Sequence, residues 1–174
     1  MPRGVTTVTP ERHQQLLQRA VDLAEQALEA GDEPFGSVLA DAQGHVLCEA
    51  RNRINSVDAT QHPEFELARW AAQHLDAEAR REATVFTSGE HCPMCAAAHA
   101  WAGLGPIVYA SSSKQLAGWH KAWGLENPPV APLTIEQVAP QVHVSGPDEK
   151  LARAVHELHG RYRERVSAAG NGEP

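Results

Sequence analysis

The 174-residue sequence predicts a three-layer α/β/α domain built on one five-stranded mixed sheet. Three observations carry this. Elements follow in the order helix, hairpin, helix, strand, helix, strand, helix, strand, helix. Helices separate the later strands, which requires crossover connections and therefore parallel pairing, with helices on both faces. No internal repeat or linker interrupts the pattern. A single domain over residues 10–166 is expected, between a flexible arm at 1–9 and a flexible tail at 167–174.

Each element has its own signal. Thr9-Pro10-Glu11 opens a helix: Thr caps, Pro takes the first position and Glu suits the first turn. Leu16, Leu17, Ala20, Val21, Ala24, Ala27 and Leu28 follow helical spacing, and Gly31 ends it. Phe35–Ala40 and His45–Ala50 read as strands around the turn Asp41-Ala42-Gln43-Gly44. Residues 51–61 are polar and irregular. A helix follows over His62–Leu75, then a short strand over Thr84–Thr87. The Ala-rich run after Cys95 is helical to about Gly103, and Gly105-Pro106 breaks it before a strand over Ile107–Ala110. A short helix is expected over Ser113–Trp119 and an ordered loop over His120–Pro132. A weak strand at Gln141–Val144 precedes a last helix over Asp148–Val166, with Leu151, Val155, Leu158 and Tyr162 on one face.

Composition narrows the function classes. Net charge is −7, from 15 basic and 22 acidic residues, which disfavours a broad nucleic-acid surface. No run approaches membrane-spanning length and the first residues lack a signal-type apolar core, so a cytoplasmic location is the expectation. Three cysteines, an odd number, favour a metal or catalytic role for the close pair over a disulfide.

That pair lies in Glu90-His91-Cys92-Pro93-Met94-Cys95. Pro93 at a first helical position places Cys92 at the helix entry and Cys95 in its first turn, both sulfurs on one side. Free N–H groups and the positive end of the helix dipole favour thiolate there. A Cys-x-x-Cys alone fits a redox pair, half of a structural zinc site or a catalytic site. His62-Pro63-Glu64, upstream at a second helix start, adds what a catalytic site needs. His62, Cys92 and Cys95 supply three zinc ligands and leave a fourth position for water. Glu64 is too close to His62 along the chain to be a good fourth ligand, and is placed to move protons instead.

The pairing of His-x-Glu with Cys-x-x-Cys resembles the cytidine deaminase-like superfamily of zinc deaminases. Pro34-Phe35-Gly36-Ser37-Val38-Leu39, Asn52-Arg53 and Asp58-Ala59-Thr60 are similar to segments of its guanine deaminase and tRNA adenosine deaminase branch. The likeness extends over about residues 11–165. Two positions depart from it: His91 stands where the signature has Pro, and Pro63 where a small residue is usual.

The resemblance implies one Zn²⁺ per chain and hydrolytic release of ammonia from a nucleobase-like heterocycle, with Glu64 as proton shuttle. It also implies substrate contacts from Asn52, Phe35 and the backbone near Glu90 and His91, and a homodimer. The small-residue face Ala96, Ala97 and Ala100 suits that dimer. Trp119, His120 and Trp123 are expected either as a lid or as anchors of a Pro-rich loop, with Glu126 as a second proton shuttle. A guanine-like base is the first substrate expected. Cytosine or cytidine and a tRNA adenosine are the alternatives, and a zinc-bound scaffold without turnover is a further one.

Overall fold

The computed structural model describes residues 8–170. The first helix, α1 (Pro10–Glu29), starts as expected, with the Arg12 backbone N–H donating to the Thr9 hydroxyl at 3.2 Å. Strands β1 (Gly36–Ala40) and β2 (Val46–Arg51) form the hairpin. Next come α2 (Pro63–His74), α3 (Ala77–Glu82), β3 (Thr84–Gly89) and α4 (Pro93–Ala102). The chain ends with β4 (Ile107–Ser111), α5 (Ser113–Ala122), α6 (Ile135–Val138), β5 (Val144–Ser145) and α7 (Glu149–Gly170).

The sheet order is β2-β1-β3-β4-β5. Pairing is antiparallel from β2 through β1 to β3, and parallel from β3 through β4 to β5. Alternation along the strands sorts two cores. Val38, Ala40 and Phe86 face α1 and α7, and join Leu16, Leu28, Leu151 and Val155. Leu39, Val85 and Ile107 face the other way and join Leu67, Ala71, Ala96 and Ile135 from α2, α4 and α6. This is the expected three-layer mixed sheet. Gly36 sits where β1 crosses α1, and a Cβ there would overlap the Ala20 carbonyl oxygen and the Ala24 nitrogen.

Several boundaries differ from the sequence reading. The terminal helix runs to Gly170, so residues 167–170 are helical and not a loose tail. The rest of the expected tail, 171–174, and most of the expected arm, 1–7, lie outside the described residues. Helix α5 extends past Trp119 to Ala122. Helix α3 has no buried residue, so it leaves no apolar period; Asp76 caps it. Helix α6 is four residues long and rests on the Thr134/Gln137 capping box. The last strand is Val144–Ser145, pairing with Ile107 and Val108, and not Gln141–Val144. Ala96 is 1% exposed and packs into this chain's own core, which removes it from the face expected to meet a second copy. No described helix is long and apolar enough to cross a membrane.

The polar stretch at 51–61 is held by Asp32, whose side chain is fully buried. The Asn55 and Ser56 backbone N–H groups donate to its Oδ1 at 2.8 and 2.9 Å. The Ser56 hydroxyl at 2.6 Å and Arg51 at 3.3 Å donate to its Oδ2. Burial alone would raise this carboxyl's pKa, but the donors from Ser56, Asn55 and Arg51 hold it below the ordinary carboxylate value. Replacing Asp32 with Ala strands those donors. Asp32→Ala is expected to cost about 3 kcal/mol, read as a lower urea midpoint at unchanged slope.

Candidate active site

Two helices start at the same place. His62 is the N-cap of α2 and Cys92 the N-cap of α4, and each helix has Pro at its first position, Pro63 and Pro93. Proline is pre-set for that turn and lacks the N–H that would go unpaired. Helix α4 begins just beyond the carboxyl end of β3, and α2 packs against it, so both positive helix ends converge.

The convergence brings the three expected ligands together. His62 Nδ1 lies 3.6 Å from Cys92 Sγ and 3.6 Å from Cys95 Sγ, and all three donor atoms fall within 4.8 Å of one another. A tetrahedral zinc at ordinary bond lengths separates its nitrogen and sulfur ligands by about 3.6 Å. Donor types and spacing therefore fit zinc, with one position left open. The electrostatics agree. Hydrogen bonding to Cys95, and then to His62, brings the Cys92 thiol down to about 4. The Cys92 sulfur in turn holds the His62 ring above its usual value.

Glu64 occupies the second helical position of α2 and is 5% exposed. Burial raises its carboxyl pKa to about 7. Its orientation is set by a residue that carried no sequence signal: Thr87 on β3 donates from Oγ1 to Glu64 Oε1 at 3.1 Å. The Ser37 hydroxyl on β1 donates to that Thr87 oxygen at 2.9 Å. Hydroxyls in strands are ordinary, so only the strand pairing Ser37↔Thr87 shows this relay.

The other expected residues are placed as follows. Phe35 is half-buried, its ring near van der Waals contact with Gly89 and 4.9 Å from His159 of α7. Asn52 is buried; its N–H donates to the Phe35 carbonyl and its Oδ1 accepts from Ile54 N–H at 3.0 Å. Arg53 pairs with Glu66 at 2.9 Å. The Glu90 carboxylate is engaged in structure, accepting from Ser113 N–H and hydroxyl, both at 2.8 Å, and from Ile135 N–H at 3.1 Å. His91 is fully buried and meets His99 edge to face at 5.4 Å, with neither ring nitrogen hydrogen-bonded.

The aromatic residues expected as lid or anchors turn to α7. Trp119 packs on His156 at 4.8 Å, and Trp123 stacks on His156 at 5.3 Å with Arg163 above it at 5.5 Å. His120 lies 6.4 Å from Trp123, and Glu126 is exposed.

A family profile described as MafB19-like deaminase matches residues 11–145. The chain belongs to this deaminase family. The deaminase is 32% identical over 114 residues to the probable cytosine deaminase of Schizosaccharomyces pombe, covering 64% of this chain and 67% of that one. It is 36% identical over 107 residues to the guanine deaminase of Bacillus subtilis, covering 60% and 68%. A solved structure in complex with 8-azaguanine matches the fold with a TM-score of 0.71 at 20% identity, over 88% of this chain and 85% of that one. The fold of the deaminase is thus cytidine deaminase-like, as the paired motifs implied.

Two further imidazoles are buried, His99 on α4 and His159 on α7. Burial lowers His99 to about 4 and His159 to about 3. Both values lie below that of an unfolded histidine, about 6.5. Their neutral forms cost nothing above that value. As pH falls below it, the unfolded chain takes up protons that the folded chain refuses, and stability is lost, by up to about 1.4 kcal/mol per pH unit for each group. The urea midpoint is expected to fall between pH 7 and pH 4. His159→Phe should make that fall shallower; parallel pH profiles for the two proteins would remove the assignment.

Proposed function

We propose that this deaminase is a zinc-dependent hydrolase of a nucleobase-like aminated heterocycle, with a guanine-like base as the first substrate. One observation carries the reading: a buried carboxylate, Glu64, fixed by Thr87 beside a His-Cys-Cys cluster with tetrahedral spacing. The similarity to a guanine deaminase, and to the fold of a protein in complex with 8-azaguanine, supports the choice of base. The similarity to a probable cytosine deaminase favours cytosine as the second reading. The net charge of −7 disfavours a tRNA substrate.

His62, Cys92 and Cys95 would hold the metal. Zinc there supplies the Lewis acidity that makes water nucleophilic near neutral pH. The chain's own residues do the proton work. Glu64 takes a proton from the attacking water as its oxygen adds to the amine-bearing ring carbon, while the ring nitrogen accepts the electron pair. Glu64 delivers that proton to the ring nitrogen. The second water proton then goes to the amine, ammonia leaves with the C–N bond pair, and a ring carbonyl remains. A carboxyl near 7 suits both taking and returning a proton at neutral pH. Thr87 keeps the carboxylate aimed, and Phe35 offers a ring face for the heterocycle.

Two measurements test this. Metal analysis is expected to give one zinc per chain, lost in Cys95→Ser. Ammonia release from guanine or cytosine is expected to fall at least 1,000-fold in Glu64→Ala with zinc retained. Equal release by the variant and the parent would sink the mechanism.

The face of α4 that remains for a second copy carries Ala97, Ala100 and Trp101, the last 91% exposed. A homodimer through it is the proposed assembly. Gel filtration should run at twice the 18.8 kDa chain mass, and Trp101→Lys should run at the single-chain mass.

A further inference from the structure

Phe35, the ring face proposed for the heterocycle, has its backbone fixed by hydrogen bonds and its side chain fixed by packing alone. Its N–H donates to the Glu33 carbonyl at 2.8 Å, and its carbonyl accepts from the Asn52 N–H at 2.9 Å. The next residue, Gly36, donates its N–H to the Ser88 hydroxyl at 3.1 Å. The half-buried ring lies at the carboxyl end of β3, against Gly89. Gly89 stands two residues past the Thr87 that aims Glu64 and three before Cys92. A Cβ at Gly89 would come to 3.0 Å from Phe35 Cε1 and 3.2 Å from its Cδ1, so the lack of a side chain there lets the ring sit this close.

A second neighbour of the ring comes from the far end of the chain. His159, on α7, meets Phe35 with ring centroids 4.9 Å apart and planes inclined at 69°. This imidazole is 5% exposed and its Nε2 has no hydrogen-bond partner, so ring packing is what orients it. Trp119 of α5 packs on His159 at 6.1 Å and on His156, one turn earlier, at 4.8 Å. His159 thus has ring neighbours on two separate elements, Phe35 before β1 and Trp119 on α5. Helix α7 lies beyond the residues that the deaminase profile matches, so the contact is brought by a helix the family pattern does not specify. A side chain that must hold one rotamer to meet a ligand loses less freedom on binding when packing has already selected that rotamer.

We infer that His159 is a positioning residue for the substrate: it holds the Phe35 ring in the orientation that receives the heterocycle, which makes α7 part of the binding site. This rests on the deaminase reading of the site and on Phe35 as its ring face. Inclined aromatic pairs are favoured over face-to-face ones, and a ringless residue at 159 removes that preference and leaves Phe35 free to change rotamer. Binding then has to order the ring, and affinity falls. The zinc-ligand candidates, Glu64 and Thr87 are untouched, so the loss appears in KM and not in kcat. Packing of α7 without a positioning role would lower stability and leave KM alone.

The test is a double-mutant cycle in the zinc-loaded protein: Phe35→Leu, His159→Leu and the two together, with His159→Phe as the variant that keeps a ring. KM and kcat are read from ammonia release with guanine and with cytosine. Equilibrium binding of both bases, thermal unfolding and zinc content are measured alongside. His159→Leu should raise KM about three- to tenfold, with kcat changed less than about threefold and zinc retained. Phe35→Leu should raise KM at least as much, and the double variant no further than Phe35→Leu alone. His159→Phe should return KM to within about twofold of the parent. His159→Met is the second ringless variant and is read in place of His159→Leu if that one unfolds. A parental KM without the ring at 159, effects that multiply in the double variant, or no recovery in His159→Phe overturns the assignment and leaves the deaminase reading standing. If neither base releases ammonia, the deaminase reading fails, and the same cycle read in equilibrium binding decides the role of His159. A coupled loss of binding then upholds it, and multiplying losses, equal binding or absent binding overturn it.

Discussion

The site depends on two helix N-termini brought to one point. Each begins with a proline, each presents its capping residue as a metal-ligand candidate, and the packing of α2 on α4 holds them together. A thiolate and a carboxylate placed in these first turns gain from unpaired N–H groups and from the helix dipoles. Their environments still push them apart, the Cys92 sulfur down to about 4 and the Glu64 carboxyl up to about 7. The sulfur has hydrogen-bonding partners, and the carboxyl is mainly desolvated. The sheet beneath supplies the rigidity: β1 and β3 are paired neighbours, which puts the Ser37 and Thr87 hydroxyls in line behind Glu64.

Much of this was legible in the chain. Pro10, Pro63 and Pro93 each mark a helix start because proline's geometry is local and does not wait for packing. The amphipathic stripe of α1 and the hairpin turn are equally local. Parallel pairing of the last strands followed from the helices between them. What could not be read has a physical reason in each case. Helix α3 buries nothing, so it has no period to detect. Helix α6 is one turn long and exists through its capping box. The extension of α7 past Val166, Ser167-Ala168-Ala169-Gly170, is exposed and made of small residues, so it carries no apolar period.

The candidate site residues divide along the same line. His62, Glu64, Cys92 and Cys95 are visible because metal chemistry demands fixed residue types at short spacing. Thr87 meets Glu64 only through strand pairing distant in sequence, and its residue type is common in strands. Glu90 has a second role that its place in the motif does not reveal. Its carboxylate is occupied by Ser113 and Ile135, which leaves its backbone as the part expected to line the pocket. His91 replaces the signature's proline and was expected beside the pocket; its ring is enclosed against His99, under the cysteine helix.

The Glu90 carboxylate also has a meaning for protein engineering. Its two oxygens pin the first turn of α5 and the first turn of α6, so the stretch between those helices is a cassette clamped at both ends by one residue just before α4. Lengthening, shortening or replacing the Pro-rich segment from Gly124 to Leu133 leaves both clamp points in place. Loop exchange there is a route to vary this surface while the approach to the helix start that carries Cys92 stays anchored.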